Sequence, residues 1–116
     1  IPIVDNGKLP DVTVRIKQYG KALFDIDTAN MQAGLKKIQP EFRLFLNASL
    51  DDTANINQLK AFVTDTLNRY LYQHTSEVFS TLKPLEKTLS ISLSRFHYYF
   101  PDQKLPSFYS YISGGY

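Results

Sequence analysis

The most regular pattern in the chain is a row of apolar residues at spacings of three and four near the carboxyl end. Such spacings place side chains on one face of a helix. Proline fits the first turn of a helix but not its interior, so Pro84 predicts that the helix restarts there, with Glu86 in its first turn. We therefore predict a long amphipathic helix at 84–100, around which the other helices pack. The row consists of Val78, Leu82, Leu85, Leu89, Leu93, Phe96 and Phe100.

The segment 89–94 also permits a strand, because its leucines and isoleucine alternate with three serines. That alternation ends at Arg95, which would fall on the apolar face, whereas the helical spacing continues through the whole segment. We therefore favour the helix and place its end before Pro101.

Two short segments have the composition of strands. Residues 12–17 alternate valine or isoleucine with Thr13, Arg15 and Lys17, a pattern typical of a half-buried strand. Residues 107–112 are rich in aromatic and β-branched side chains. The two strands are candidates to pair with each other.

Shorter helices are predicted between these strands. Residues 19–24 fit a helical turn, and Asp27 with Thr28 can cap a helix that Pro40 ends. The apolar positions of that helix are Met31, Leu35 and Ile38.

Two further helices are expected after Pro40. A short helix beginning at this proline would carry Phe42, Phe45, Leu46 and Ser49 on one side. The next, capped by Asn55 with Gln58, would continue to about Tyr72.

The chain contains one short repeat, because the tetrapeptide at 27–30 recurs at 52–55. Shared helix-start chemistry explains this repeat better than a duplication.

These elements predict a mainly α fold, or more fully an α+β fold with two short strands. We expect an irregular lead at 1–11 with two prolines and a glycine, and one mainly helical domain at 12–113. Residues 114–116 would form a tail, or the beginning of a segment not included in this chain.

Composition excludes several classes of function. Thirteen basic and eleven acidic residues give a net charge of +2, and no basic run resembles a phosphate-binding stripe, which argues against nucleic acid. The absence of cysteine excludes disulfides and thiolate metal sites. No stretch is long and apolar enough to span a bilayer.

No catalytic set, cofactor motif or metal-binding motif is recognisable. His74 and His97 are the only histidines, and neither has the spacing of a zinc site, so structural roles are favoured. The chemistry most open to function is an aromatic cluster, which would either pack in the core or form an interaction surface. Its candidate surface residues are Tyr98, Tyr99, Phe108, Tyr109 and Tyr111.

The motifs also resemble a known family. The run from His97 to Pro106 contains a helix ending in Tyr-Tyr-Phe-Pro, a polar turn and a second proline before an aromatic strand. Together with Val14-Arg15-Ile16, the Leu23-Phe24 pair and the junction at 38–42, it resembles the gliding-motility lipoprotein B family of the Bacteroidetes. The motifs span about 12–113 in the family's order. Tyr98 and Tyr99, with Tyr111, match motif positions whose role is expected to be structural.

The resemblance implies a lipid-anchored protein of the cell envelope, facing the periplasm or in the outer membrane, and associated with gliding or secretion. It implies a non-enzymatic scaffold or interaction role, with other envelope proteins as partners and no cofactor. The alternative is an accessory domain of a metallopeptidase-like enzyme whose catalytic half lies downstream. We also expect the isolated chain to form a homodimer through open strand edges or aromatic surface.

Overall fold

The structure, a computed structural model, describes residues 9–112. Within that range it contains five α-helices, one 3-10 turn and two short parallel strands, which confirms the predicted mainly helical fold class. The predicted tail and most of the predicted lead, residues 1–8, lie outside the described residues. In chain order the elements are β1 (Ile16–Gln18), α1 (Tyr19–Phe24), the 3-10 turn (Thr28–Asn30), α2 (Met31–Ile38), α3 (Thr53–Thr64), α4 (Thr66–Val78), α5 (Lys83–Tyr99) and β2 (Phe108–Ser110).

The described residues divide into two compact units. The first comprises 9–17 and 81–109, and the second comprises 18–80 and 110–112. The single domain expected at 12–113 stays a prediction, and each unit is treated separately below.

The first unit is built on α5. The helix begins at Lys83, with Pro84 and Glu86 in its first turn, and ends at Tyr99. The predicted helix at 84–100 is therefore confirmed, and the strand alternative for 89–94 is wrong. The apolar row is not one continuous helix, however, because Val78 ends α4 and residues 79–82 are not helical.

An extended segment lies along one face of α5, which carries Glu86, Ser90 and Ser94 and is called the serine face below. The backbone N–H of Val14 donates to Ser90 Oγ, and that of Ile16 donates to Glu86 Oε2, both at 2.8 Å. Extended residues two apart are separated by roughly 6.6 Å, and one helical turn from Glu86 to Ser90 rises roughly 6 Å. This match of spacings lets two successive N–H groups bond to two successive turns of the helix.

The bonds to α5 explain why the first predicted strand begins later than expected. The N–H of Val14 is bonded to a helix side chain rather than to a neighbouring strand, and pairing begins only at Ile16. The strands predicted at 12–17 and 107–112 are reduced to Ile16–Gln18 and Phe108–Ser110, which pair with each other as expected.

The same arrangement contradicts the expectation that the fold packs around the apolar row. On α5 the buried residue is Ser94, whose hydroxyl donates to Ser90 O at 2.8 Å. Leu85, Phe96 and Phe100 of the apolar row are exposed instead. Leu82, Leu89 and Leu93 of the row are half-buried, and the side chains of α5 that bond the extended segment are the polar ones of Glu86 and Ser90.

The second unit holds most of the buried core. Tyr19 stacks on Phe45 with ring centroids 4.4 Å apart and lies 5.5 Å from the ring of Phe42. Phe24 stacks on Tyr72 at 4.7 Å and so packs α1 against α4. Its buried hydrophobic side chains are Tyr19, Leu23, Phe24, Met31, Leu35, Phe42, Leu46, Leu50 and Val63.

Aspartates begin three of the helical segments. The carboxylates of Asp27 and Asp52 each accept the N–H of the alanine two residues later, at 3.0 and 2.9 Å. Capping by aspartate satisfies N–H groups that a helix start otherwise leaves unpaired. Helix-start chemistry therefore accounts for the repeated tetrapeptide, and the predicted cap at Asn55 is wrong.

A third aspartate interrupts the helix predicted to run to about Tyr72. Asp65 has an extended backbone, with ψ of 130°, and its carboxylate accepts the N–H of Asn68 at 3.0 Å. The chain therefore ends α3 at Thr64 and restarts as α4 at Thr66.

The short helix expected after Pro40 is also wrong, because the segment forms successive turns. The side-chain amide of Gln39 donates to Leu46 O at 3.1 Å, and that of Gln32 donates to Leu50 O at 2.9 Å. Side chains thus satisfy carbonyls that a helix would pair with its own N–H groups, and the leucines remain buried.

Candidate interaction surface

Helix α4 carries exposed apolar side chains along one face. Leu67, Tyr70 and Val78 are 55%, 60% and 59% exposed, and their spacings place them on neighbouring turns. His74 extends the row, and its ring is parallel to that of Tyr70 at 5.9 Å. We call these four residues the α4 row.

The end of α5 forms a second exposed group, which we call the aromatic tip: Phe96, Tyr98, Tyr99 and Phe100. Their exposed fractions are 38%, 49%, 36% and 54%. The rings of Phe96 and Phe100 are 5.3 Å apart, and those of Tyr98 and Tyr99 meet edge to face at 5.2 Å. Four aromatic rings are thus exposed within five residues.

The structure brings together only part of the aromatic cluster predicted from the sequence. Tyr98 and Tyr99 are adjacent in the aromatic tip. Phe108 and Tyr109 are half-buried in β2, and Lys17 Nζ lies 5.4 Å from the centre of the Tyr109 ring. Tyr111 belongs to the second unit, where it is exposed and contacts Phe45 at 5.6 Å.

Sequence reasoning missed the α4 row, because this segment was predicted to continue the preceding helix to about Tyr72. The signal that could have revealed it is Asp65-Thr66, the same helix-start pair that precedes Ala29 and Ala54. A restart there shifts the face that the following residues present.

The second unit also contains an apolar groove of about 300 Å³ beside α3. Its walls include Phe45, Leu59 and Phe62, and its polar groups are the amides of Asn55 and Gln58. The first unit has a smaller groove of about 250 Å³ between residues 9–12 and the serine face of α5. None of these features brings together the groups of a hydrolytic or transfer reaction.

The histidines take up separate positions. His74 lies in the α4 row, whereas His97 is half-buried and its Nδ1 has no hydrogen-bond partner in the part of the chain described. No group of three or more potential metal ligands occurs among residues 9–112.

Charged groups in the second unit form two exposed ion pairs. Lys36 Nζ lies 2.7 Å from Asp51 Oδ1, and this hydrogen bond and charge hold the pKa of the Asp51 carboxyl below its usual range. Lys21 bonds Asp25 at 2.9 Å, which raises the pKa of the lysine. Burial raises the pKa of the Tyr19 phenol. These shifts belong to structural contacts and lie outside the aromatic tip.

The two units also differ in net charge. The described residues of the first unit include six basic and three acidic residues, and those of the second include six basic and seven acidic residues. The positive charge of the chain is therefore concentrated in the unit that carries the aromatic tip.

Among residues 9–112, no helix combines the length and the apolar character that crossing a membrane requires. Comparison with curated proteins gives no match, and neither does comparison with solved structures. A family model described as the gliding motility protein GldB matches residues 4–116, nearly the whole chain. The chain therefore belongs to the GldB family of gliding-motility-associated lipoproteins of the cell envelope.

Proposed function

We propose that this chain is a non-enzymatic interaction domain of an envelope lipoprotein that supports the gliding or secretion machinery. The observation that carries the proposal is the exposure of apolar side chains on α4 and α5, at the α4 row and the aromatic tip. Exposed apolar patches of several hundred Å² commonly mark interaction sites.

The internal contacts of each unit favour an interaction role. The first unit holds α5 through its serine face, by the bonds from Val14 and Ile16. The second unit holds α4 through two contacts. The side-chain amide of Asn68 donates to Phe62 O, and the ring of Tyr72 stacks on that of Phe24. The exposed side chains of the α4 row and of the aromatic tip are not used in these contacts and stay available to a partner.

Gene replacement in a gliding host that carries this protein tests the proposal. One variant changes the α4 row (Leu67→Ser with Tyr70→Ser), and another changes the aromatic tip (Tyr98→Ser with Phe100→Ser). The matched control replaces exposed polar residues of the same helices, Gln73→Ser and Ser92→Ala.

We expect at least one surface variant to lose colony spreading while its abundance in the envelope, measured by immunoblot, stays at the level of the control. Normal spreading by both surface variants would overturn the proposal. Zinc-dependent peptide hydrolysis by the purified full-length protein would instead support the accessory-domain alternative.

A further inference from the structure

We infer that the aromatic tip of α5 contacts the surface of a lipid bilayer, its rings inserting among the headgroups. This inference rests on the proposed function, because it names the partner of one of the two exposed surfaces. Phenylalanine and tyrosine suit such a site, since each ring is apolar and tyrosine adds a hydroxyl that can stay hydrated at the interface.

The placement of the rings around the helix end favours a lipid surface over a flat protein surface. Phe96 and Tyr98 are two residues apart, which places them roughly 160° apart around the helix axis. Tyr99 and Phe100 follow at the same end, before an exposed turn at 101–104. A flat partner would cover one side of this helix end, whereas a layer of headgroups would surround it.

Charge supports the same partner. Arg95 precedes the rings and Lys104 follows them, while Asp102 contributes one opposing charge within the turn. The unit as a whole has three more basic than acidic residues. A surface with anionic lipids attracts a unit that has such an excess of basic residues.

The location of the family's members also supports a contact with lipid. A lipoprotein is held beside a membrane, so even a weak contact with lipid forms at a high effective concentration. A contact too weak to anchor a free protein can then fix the orientation of an anchored one.

Vesicle co-sedimentation of the whole chain tests the inference. The probe is a suspension of phosphatidylcholine vesicles, with or without phosphatidylglycerol. The tip variant carries Tyr98→Ser and Phe100→Ser, and the matched control removes two equally exposed apolar side chains from the α4 row, Leu67→Ser and Tyr70→Ser. Circular dichroism confirms that both variants keep the helical content of the parent.

We expect the parent and the α4 variant to bind vesicles that contain phosphatidylglycerol, and the tip variant to bind about tenfold or more weakly. Added salt should weaken binding to these vesicles. Absence of parent binding, or equal losses in the two variants, would overturn the inference. A lipid-free dimer that only the tip variant disrupts would assign the tip to a second copy and would also overturn it.

The vesicle result is separate from the test of the proposed function. If vesicles do not bind but the tip variant still loses colony spreading, the lipid assignment fails and the interaction domain stands. If vesicles bind but neither surface variant affects spreading, the proposed function fails.

Discussion

Gly34 in α2 gives the sharpest test of how the second unit packs. A Cβ added at this glycine would lie 2.4 Å from Ile26 Cγ2 and 3.2 Å from its Cγ1. Carbon atoms in favourable contact are about 3.5–4.0 Å apart, so one of them must move by roughly 1 Å. Because Ile26 branches at Cβ, its methyl cannot leave without a rotamer or backbone change.

Two effects of opposite sign therefore compete in Gly34→Ala. Helix propensity alone favours alanine by about 1 kcal/mol, whereas overpacking costs about 1–3 kcal/mol. We expect the contact to dominate, so that the free energy of unfolding falls by up to about 2 kcal/mol. The measurement is urea denaturation followed by far-ultraviolet circular dichroism.

The double variant with Ile26→Ala isolates the contact from the propensity. When the isoleucine branches are absent, Gly34→Ala should become neutral or stabilising by up to about 1 kcal/mol. The exposed neighbour Ala33 provides the scale, because Ala33→Gly should cost about 1 kcal/mol through propensity alone. Stabilisation by Gly34→Ala in the parent, or equal effects in both backgrounds, would refute the packing.

Three further outcomes follow from the caps and the titrating groups. Removal of the α4 cap by Asp65→Ala should lower the free energy of unfolding by about 1 kcal/mol, and an unchanged urea midpoint would contradict the bond to Asn68 N. Burial raises the pKa of the Tyr19 phenol in the folded state, so the contribution of this group to the free energy of unfolding is fully present below the unfolded pKa and is lost as the pH rises through the folded pKa. Spectroscopic titration should therefore show a late-titrating phenol, which Tyr19→Phe removes. The pKa of Asp51 should return to its usual range in Lys36→Gln, as carboxyl resonances in nuclear magnetic resonance would report, and an unshifted resonance would exclude the ion pair in solution.

The limits of α5 were predictable from the sequence because local chemistry sets them. Proline is accepted in the first turn, and a second proline cannot continue the helix, so Pro84 and Pro101 frame it closely. A local rule likewise identified Asp27 as a cap, although the segment that it begins is the 3-10 turn before α2.

The direction in which α5 faces was not predictable, because spacing reports which residues share a face and not what covers that face. The apolar row suggested the core, but the hydroxyl of Ser90 and the carboxylate of Glu86 bond a distant extended segment. Such bonds join residues about seventy positions apart, and no local pattern encodes them.

The structure therefore changes which aromatic residues are candidates for an interaction surface. Tyr98 and Tyr99 were identified as surface candidates, whereas Phe96 and Phe100 were expected in the core, and all four are exposed. Phe108 and Tyr109 were candidates on composition alone and are half-buried in a strand. Their role at an interface stays a prediction.

The exposed face of α5 carries the proposed interaction surface, and because the chain has no cysteine its exposure can be measured directly. Single variants Leu85→Cys, Phe100→Cys, Ser90→Cys and Ser94→Cys are labelled with a maleimide under native conditions and compared with their rates in urea. We predict near-unprotected labelling at the leucine and phenylalanine positions, and protection by about tenfold or more at the two serine positions. Rapid labelling at the serine positions with protection at Leu85 and Phe100 would contradict the exposed apolar face and the interaction surface built on it.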